Sequence, residues 1–395
     1  WGFAAMFARV TRSGVMSGRT VRGVISGAKQ FSSSSSGAKT GQLNRQRAFL
    51  ASCVGVGGMA TMATLMNAQE KGAECSDATA PKDHLRIAQL EMDLAGKTNA
   101  AFVFIKPHAY NDKVKALVRE HFKSRGIRVM SEGSLDAATI DRELLIDTHY
   151  GAIASKAVKL SPQELNVPDK GKEGFQKMFG LSWDDALASG KVLNAKEACV
   201  KLGVDGNGME AKWATLDKSK DMIKFGGGFY CGKVEGLFVI NGFYMSMRNA
   251  YTTPPANIHY FTVQWPTDSL SWKSFRDDVL GATDPKSAAK GSARRIIYEN
   301  YQSLDLPGQP NTGDNGVHAS ASPFEALAER ANWLKIPIEN DLFGRGLVAA
   351  GIPPAAITAW CNDPQVTFEG KKGSLFDYLE DLDADTLLQR AQQIS

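Results

Sequence analysis

The order of elements along this chain predicts an α+β sandwich of the ferredoxin-like kind. Three observations carry that prediction. Residues 99–105 are an almost unbroken apolar run, Ala-Ala-Phe-Val-Phe-Ile after Asn99, the pattern of a strand buried on both faces. Val114, Leu117, Val118, His121 and Phe122 then recur at helical spacing. Gly126 stops that helix, and Ile127-Arg128-Val129-Met130 opens a second strand. A β–α–β–α order of this kind packs helices on one open sheet.

The remaining elements follow in chain order. Residues 69–98 are polar and then helical, with Leu85, Ile87, Leu90, Met92 and Leu94 as an approximate stripe. Lys106-Pro107 ends the first strand, because proline cannot continue the ladder. Residues 137–160 read as helix. Residues 161–241 interrupt the pattern as an insertion, Lys- and Gly-rich with short helical pieces, and residues 229–240 within it read as a β-hairpin. A helix over residues 242–251 is broken by Thr253-Pro254-Pro255. Residues 258–265 alternate as a strand, residues 271–280 form a short helix, and Pro323 opens a strong helix to residue 334. Residues 336–395 carry two or three amphipathic helices, divided at Gly351-Ile352-Pro353-Pro354 and Asp363-Pro364. The expected domain is therefore residues 99–335, followed by a C-terminal helical extension.

Composition is ordinary for a globular protein, with 43% hydrophobic and 22% charged residues. The formal charge of +4 is misleading. Residues 1–69 hold eight basic residues and no acid, which leaves 38 basic against 42 acidic in the rest. No nucleic-acid face is expected there. Residues 1–47 are Arg- and Ser-rich, the composition of an organelle presequence, most simply mitochondrial. Residues 48–68 are uncharged and rich in Gly, Ala, Ser and Thr. A retained membrane span, a cleaved sorting signal and a small-residue linker all fit this stretch. Arg45 and Arg47 before it, and Glu70 and Glu74 after it, would put a retained span's C-terminal side in the intermembrane space of mitochondria. The five cysteines are widely spaced, with no C-x-x-C pair and no H-E-x-x-H helix, which argues against a zinc motif or a disulfide framework.

Two motifs are decoys. Gly227-Gly228-Phe229-Tyr230-Cys231-Gly232-Lys233 fits G-x-x-x-x-G-K, yet Val234 stands where a magnesium-binding hydroxyl is needed and a strand follows. Asp205-Gly206-Asn207-Gly208 departs from the calcium-loop pattern and reads as a turn.

The chemistry concentrates elsewhere, in Ile105-Lys106-Pro107-His108, His149-Tyr150, Gly281-Ala282-Thr283-Asp284-Pro285, Gly291-Ser292-Ala293-Arg294 and Asn315-Gly316-Val317-His318-Ala319-Ser320. A histidine among small residues leaves its ring open to a large ligand, and lysine, arginine and threonine can hold phosphate oxygens around it. Over residues 99–160 and about 242–334 these motifs resemble the nucleoside diphosphate kinase family. The resemblance implies a nucleoside diphosphate kinase-type sandwich. It makes His318 the phosphate-carrying nucleophile, Ser320 and Glu329 the groups that orient it, Lys106, Tyr150, Thr283 and Arg294 the phosphate contacts, and Asn315 the ribose contact. Mg2+ would come with the nucleotide, and the partners would be ATP and other nucleoside di- and triphosphates. A homo-oligomer or a membrane protein complex is also expected.

Departures from the family pattern accompany this. His108 replaces an aspartate, Asp277 stands where the family has a second arginine, with Arg276 beside it, and Ala319 and Ala321 replace glycine and aspartate. The loop from Arg294 to Asn315 is lengthened. Arg248 is a further cation without a matching position. Two functions follow from these residues: phosphotransfer through His318, or a non-catalytic kinase-like scaffold or accessory subunit in a mitochondrial inner-membrane complex.

Overall fold

The computed structural model describes residues 80–394, with side chains from residue 83 onward. The expected presequence (residues 1–47), the uncharged stretch at 48–68 and residues 69–79 lie outside the described residues. Among the described residues no helix is long and apolar enough to cross a membrane.

The architecture is α+β. Strands β1 (Thr98–Ile105), β2 (Arg128–Asp136), β3 (Val192–Asn194), β4 (Met222–Gly226), β5 (Phe229–Val234), β6 (Leu237–Ile240), β7 (Asn257–Pro266), β8 (Val317–Ala319), β9 (Gln365–Phe368) and β10 (Lys371–Ser374) form three sheets. The first has the order β2-β7-β1-β8, with antiparallel neighbours throughout. With β3–β6 set aside as inserted, this is the order second-third-first-fourth, in which helices connect strands across a neighbour.

Strand β1 is buried on both faces, so its side chains feed two cores. Ala101, Val103 and Ile105 pack with Val114, Val118 and Phe122 of the Asp112–Ser124 helix. Phe102 and Phe104 point the other way, toward Ile140, Leu145, Ile146 and Trp333. The alternation explains why the run carries no polar face. Asn111 caps the Asp112–Ser124 helix by accepting from the Val114 N–H, and Gly126 follows it at φ +71°, a left-handed position that favours glycine.

The inserted segment builds its own sheet, β3-β6-β5-β4. Val239 faces Ala195, Ala198 and Trp213 on one side, while Phe238 and Ile240 face Phe175 and Trp183 on the other. The β5–β6 turn places Glu235 and Gly236 at positive φ, the backbone of a tight hairpin. Gly227 and Gly228 connect β4 to β5, so a strand follows the G-x-x-x-x-G-K decoy.

Several expectations are corrected. Residues 137–160 are not one helix: Leu144 at φ 51° and Tyr150 divide the segment into Ala137–Arg142, Leu145–His149 and Gly151–Ala154. Asp205 does not make an isolated turn. It caps the Gly206–Ala214 helix by accepting from the Gly208 N–H. The C-terminal segment holds the β9–β10 hairpin as well as four helices, Leu342–Ala349, Pro354–Trp360, Leu375–Leu379 and Ala384–Ala391. The stripe of the Ala80–Gly96 helix faces outward, with Leu85, Ile87, Leu90 and Leu94 exposed and Ala95 buried.

The C-terminal helices do not stand apart from the main sheet. Phe324 and Leu327 of the Pro323–Trp333 helix share one core with Phe343, Leu347, Leu375, Leu379 and Leu387. The same helix therefore faces the first sheet and the extension, and it carries Glu329.

Candidate functional site

Register places the histidine. On β8, His318 pairs with Phe104 of β1, and directly opposed residues of paired strands share a face. His318 thus points into the Phe102–Phe104 side of the sheet, with its ring stacked 4.6 Å from Phe104. Gly316 at φ +88° sets up the short strand, and an added Cβ would lie 3.0 Å from Ile297.

A carboxylate orients the ring. His318 Nε2 lies 2.6 Å from Glu329 Oε1, and Ser320 Oγ lies 2.5 Å from Glu329 Oε2. The Phe102 N–H donates to Ser320 Oγ at 3.1 Å, which fixes the serine in turn. When Glu329 is ionised it is acceptor-only, and Nε2 then carries the proton while Nδ1 keeps its lone pair. Burial, together with the charges of Lys106, Arg294 and Arg276, holds His318 well below the usual histidine pKa. Burial also pushes the Glu329 carboxyl up, opposed by His149 and Ser320.

Two cations face this ring without a carboxylate partner. Among the described residues neither Lys106 nor Arg294 forms a salt bridge, and both are buried, at 6% and 8% exposure. The Lys106 ammonium donates to the Gly313 carbonyl at 2.9 Å. Arg294 donates to the Val317 carbonyl at 3.0 Å through Nε and to the Gly281 carbonyl at 2.9 Å through Nη1. Burial and the neighbouring Arg294 lower Lys106 to about 7, against a weaker pull from Asp314. Arg294 falls to about 9, from burial and then Arg276. Unpaired buried charge is costly, and an anion between these groups would offset that cost.

The loop before His318 is pinned to the end of β1. Lys106 N–H donates to the Gly316 carbonyl, and Gly316 N–H donates to His108 Nε2 at 3.1 Å. His108 Nδ1 then faces Asp314 at 3.3 Å. His108 therefore acts on the loop backbone in this chain. Asn315 is 2% exposed; its amide donates to the Thr283 carbonyl at 3.0 Å, and its Oδ1 has no hydrogen-bond partner. A buried, unmet acceptor suits a hydroxyl donor from a ligand. Thr283 itself is exposed. Tyr150 is hydrogen-bonded to Tyr251, and burial raises its phenol to about 12, so it stays a donor.

Two charged residues singled out in the sequence lie elsewhere. Asp277 is exposed and paired with Lys273 at 2.7 Å, so its carboxylate stands in solvent. Arg248 is held by Asp147 at 3.0 Å and by Asp141 at 2.5 Å, which pins the Tyr244–Thr252 helix rather than serving a ligand. Sequence reasoning missed three partners. His149 Nδ1 lies 3.3 Å from Glu329 Oε1; the His149-Tyr150 pair was the signal, but only the tyrosine was assigned a role. Glu380 and Asp381 hold Arg276 at 2.8 and 2.5 Å, across 104 and 105 residues of chain where no local pattern signals it.

That clamp yields a prediction. Arg276 adds its field to His318 and Arg294, and the acidic pair neutralises it from the C-terminal segment. Replacing Glu380 with Gln and Asp381 with Asn together should tighten binding of a nucleoside diphosphate by about threefold, the scale of a partly exposed ion pair. Calorimetry showing weaker or unchanged binding would make the clamp purely structural.

No protein-family model matches the chain, and no curated protein matches it. Among solved structures the chain is similar to a nucleoside diphosphate kinase from Encephalitozoon cuniculi, at 14% identity, covering 60% of this chain and 88% of that one with a TM-score of 0.29. It is also similar to an NDP kinase from Pyrobaculum aerophilum, at 15% identity, covering 60% of this chain and 95% of that one, again with a TM-score of 0.29.

Proposed function

We propose that the chain transfers the γ-phosphate of a nucleoside triphosphate to a nucleoside diphosphate through phosphorylated His318, on a ferredoxin-like sandwich of the nucleoside diphosphate kinase type. The observation that carries this reading is the pairing of a neutral, carboxylate-oriented imidazole with two buried cations that lack a carboxylate. In the first half-reaction the Nδ1 lone pair attacks the γ-phosphorus. A nitrogen–phosphorus bond forms, the bond to the bridging oxygen breaks, and the diphosphate leaves with that electron pair. The proton on Nε2 stays in place and is shared with Glu329, which balances the positive charge left on the ring. The second half reverses these steps onto another diphosphate. Lys106 and Arg294 offset charge on the transferring group. Asn315 Oδ1 accepts from a ribose hydroxyl, and Tyr150 and the Thr283 loop border the phosphates. Magnesium enters as part of the nucleotide substrate. The leader composition supports a mitochondrial location.

The test is direct. Incubation of the purified chain with γ-labelled ATP and magnesium should give acid-labile, base-stable label on His318. Absence of label at saturating nucleotide would leave the second reading, a non-catalytic scaffold, which the clamped Arg276 and the outward Asp277 favour.

Arg294 separates fold from function poorly if truncated to alanine, because two buried carbonyls would lose their donors at about 1–3 kcal/mol each. The Arg294→Lys variant keeps the charge and loses the planar fork. It should lower the melting temperature and weaken nucleotide binding about tenfold. Unchanged affinity in that variant would remove Arg294 from the phosphate contacts.

A further inference from the structure

The geometry points to a binding site for a first-row transition-metal ion of the zinc type, made by His149, His318 and Glu329. Two imidazole nitrogens and one carboxylate oxygen from these residues lie within 4.8 Å of one another. They come from three separate elements: His149 ends the Leu145–His149 helix, His318 is central in β8, and Glu329 sits on the Pro323–Trp333 helix. These residues converge only through the tertiary fold, which explains why no metal-binding motif announced them as a set.

The spacing fits ligands better than it fits a second hydrogen bond. Glu329 Oε1 faces both nitrogens, at 2.6 Å from His318 Nε2 and 3.3 Å from His149 Nδ1. Only the first is a short, strong contact. The other neighbour of His149 Nδ1 is the Trp333 indole N–H at 3.5 Å, also long. Two donors on one tetrahedral zinc with bonds of about 2.0–2.1 Å lie roughly 3.3 Å apart. The His149–Glu329 distance already has that value, the His318–Glu329 pair needs to open by about 0.7 Å, and the two imidazole nitrogens, within 4.8 Å of each other, need to close by at most about 1.5 Å.

The surroundings also suit a bound ion. Ser320 holds the second carboxylate oxygen at 2.5 Å and Phe104 stacks on His318, so two of the three donors are positioned before any metal arrives. Two imidazoles and one carboxylate, with a further position for water, are the donor set of zinc and its neighbours rather than of magnesium, which prefers oxygen ligands. Lys106 and Arg294 oppose a dication nearby, so the affinity belongs in the micromolar range rather than the nanomolar one.

Occupancy has a chemical consequence, which rests on the phosphotransfer reading. A metal can bind His318 Nε2 only after the ring proton has moved from Nε2 to Nδ1, which frees the Nε2 lone pair for it. The nitrogen that would attack phosphorus then carries hydrogen, and phosphorylation stops. Zinc-type ions are thus expected to act as an off-switch distinct from the magnesium that accompanies nucleotide.

The experiment titrates Zn2+ into the metal-free full chain by calorimetry, with zinc-edge X-ray absorption on the complex. One equivalent should bind, with imidazole and oxygen scattering and no sulfur. His149→Ala and Glu329→Gln should each weaken binding by about tenfold or more, and His259→Ala should leave it unchanged. Circular dichroism of each variant checks its fold. Zinc binding that survives both His149→Ala and Glu329→Gln, sulfur in the first coordination shell, or no binding at about 1 mM zinc would overturn the site. Binding is measured without turnover, so an unlabelled protein that still binds zinc defeats the phosphotransfer reading alone.

Discussion

Substituting His318 with glutamine is expected to abolish phosphoenzyme formation while leaving the fold in place. No other described side chain combines the required features: an imidazole with a free Nδ1, a carboxylate on Nε2, and two buried cations alongside. His149 is the nearest competitor. Burial and the neighbouring His318 lower it to about 3, and its Nδ1 is already turned toward Glu329. Glutamine can still donate to Glu329 from its amide, so the cost to stability should stay within about 1–2 kcal/mol. Label should fall to background in the variant while the thermal transition moves by only a few degrees. Label retained at wild-type level would move the carrier to another residue and sink the mechanism.

How much of this was legible from the chain divides by range. The doubly buried β1, the alternation of β7 and the Pro323 helix start are local patterns, and they read correctly because period and capping are properties of adjacent residues. The break at Leu144 did not read, because a left-handed leucine is set by packing around it and has no local signature. The stripe of Leu85, Ile87, Leu90 and Leu94 shows a related limit of local pattern: periodicity shows that a face exists and not what covers it, and all four side chains are exposed. At the site, the motifs named His318, Ser320, Glu329, Lys106, Arg294 and Asn315. They said nothing of Arg276 meeting Glu380 and Asp381, because that pairing depends on how the C-terminal segment folds back.

The sharpest test of the phosphate site is Lys106→Met, because function and stability should move in opposite directions. The lysine is 6% exposed, its ammonium touches only a carbonyl, and its pKa is lowered to about 7. Such a shift means that the fold disfavours the charge by an amount on the order of a few kcal/mol near neutral pH. The unfolded chain holds this proton up to its ordinary pKa of 10.5, whereas the folded chain releases it at about 7. Between those values the unfolded state binds more protons, so this group makes stability rise with pH across that window. Methionine has a similar length and no charge. The variant should therefore be more stable than wild type at pH 7 and should lose the rise between about pH 7 and 10.5. Nucleotide binding should weaken by about 1.5–3 kcal/mol, or roughly ten- to a hundredfold. In wild type at pH 8–9, nucleotide should bind with proton uptake as the phosphates restore the ammonium, an effect that calorimetry in buffers of different ionisation enthalpy would show and that the variant would lack. A Lys106→Met protein that is less stable, or that binds nucleotide as tightly as wild type, would mean that the buried lysine serves the loop at Gly313 and not an anion.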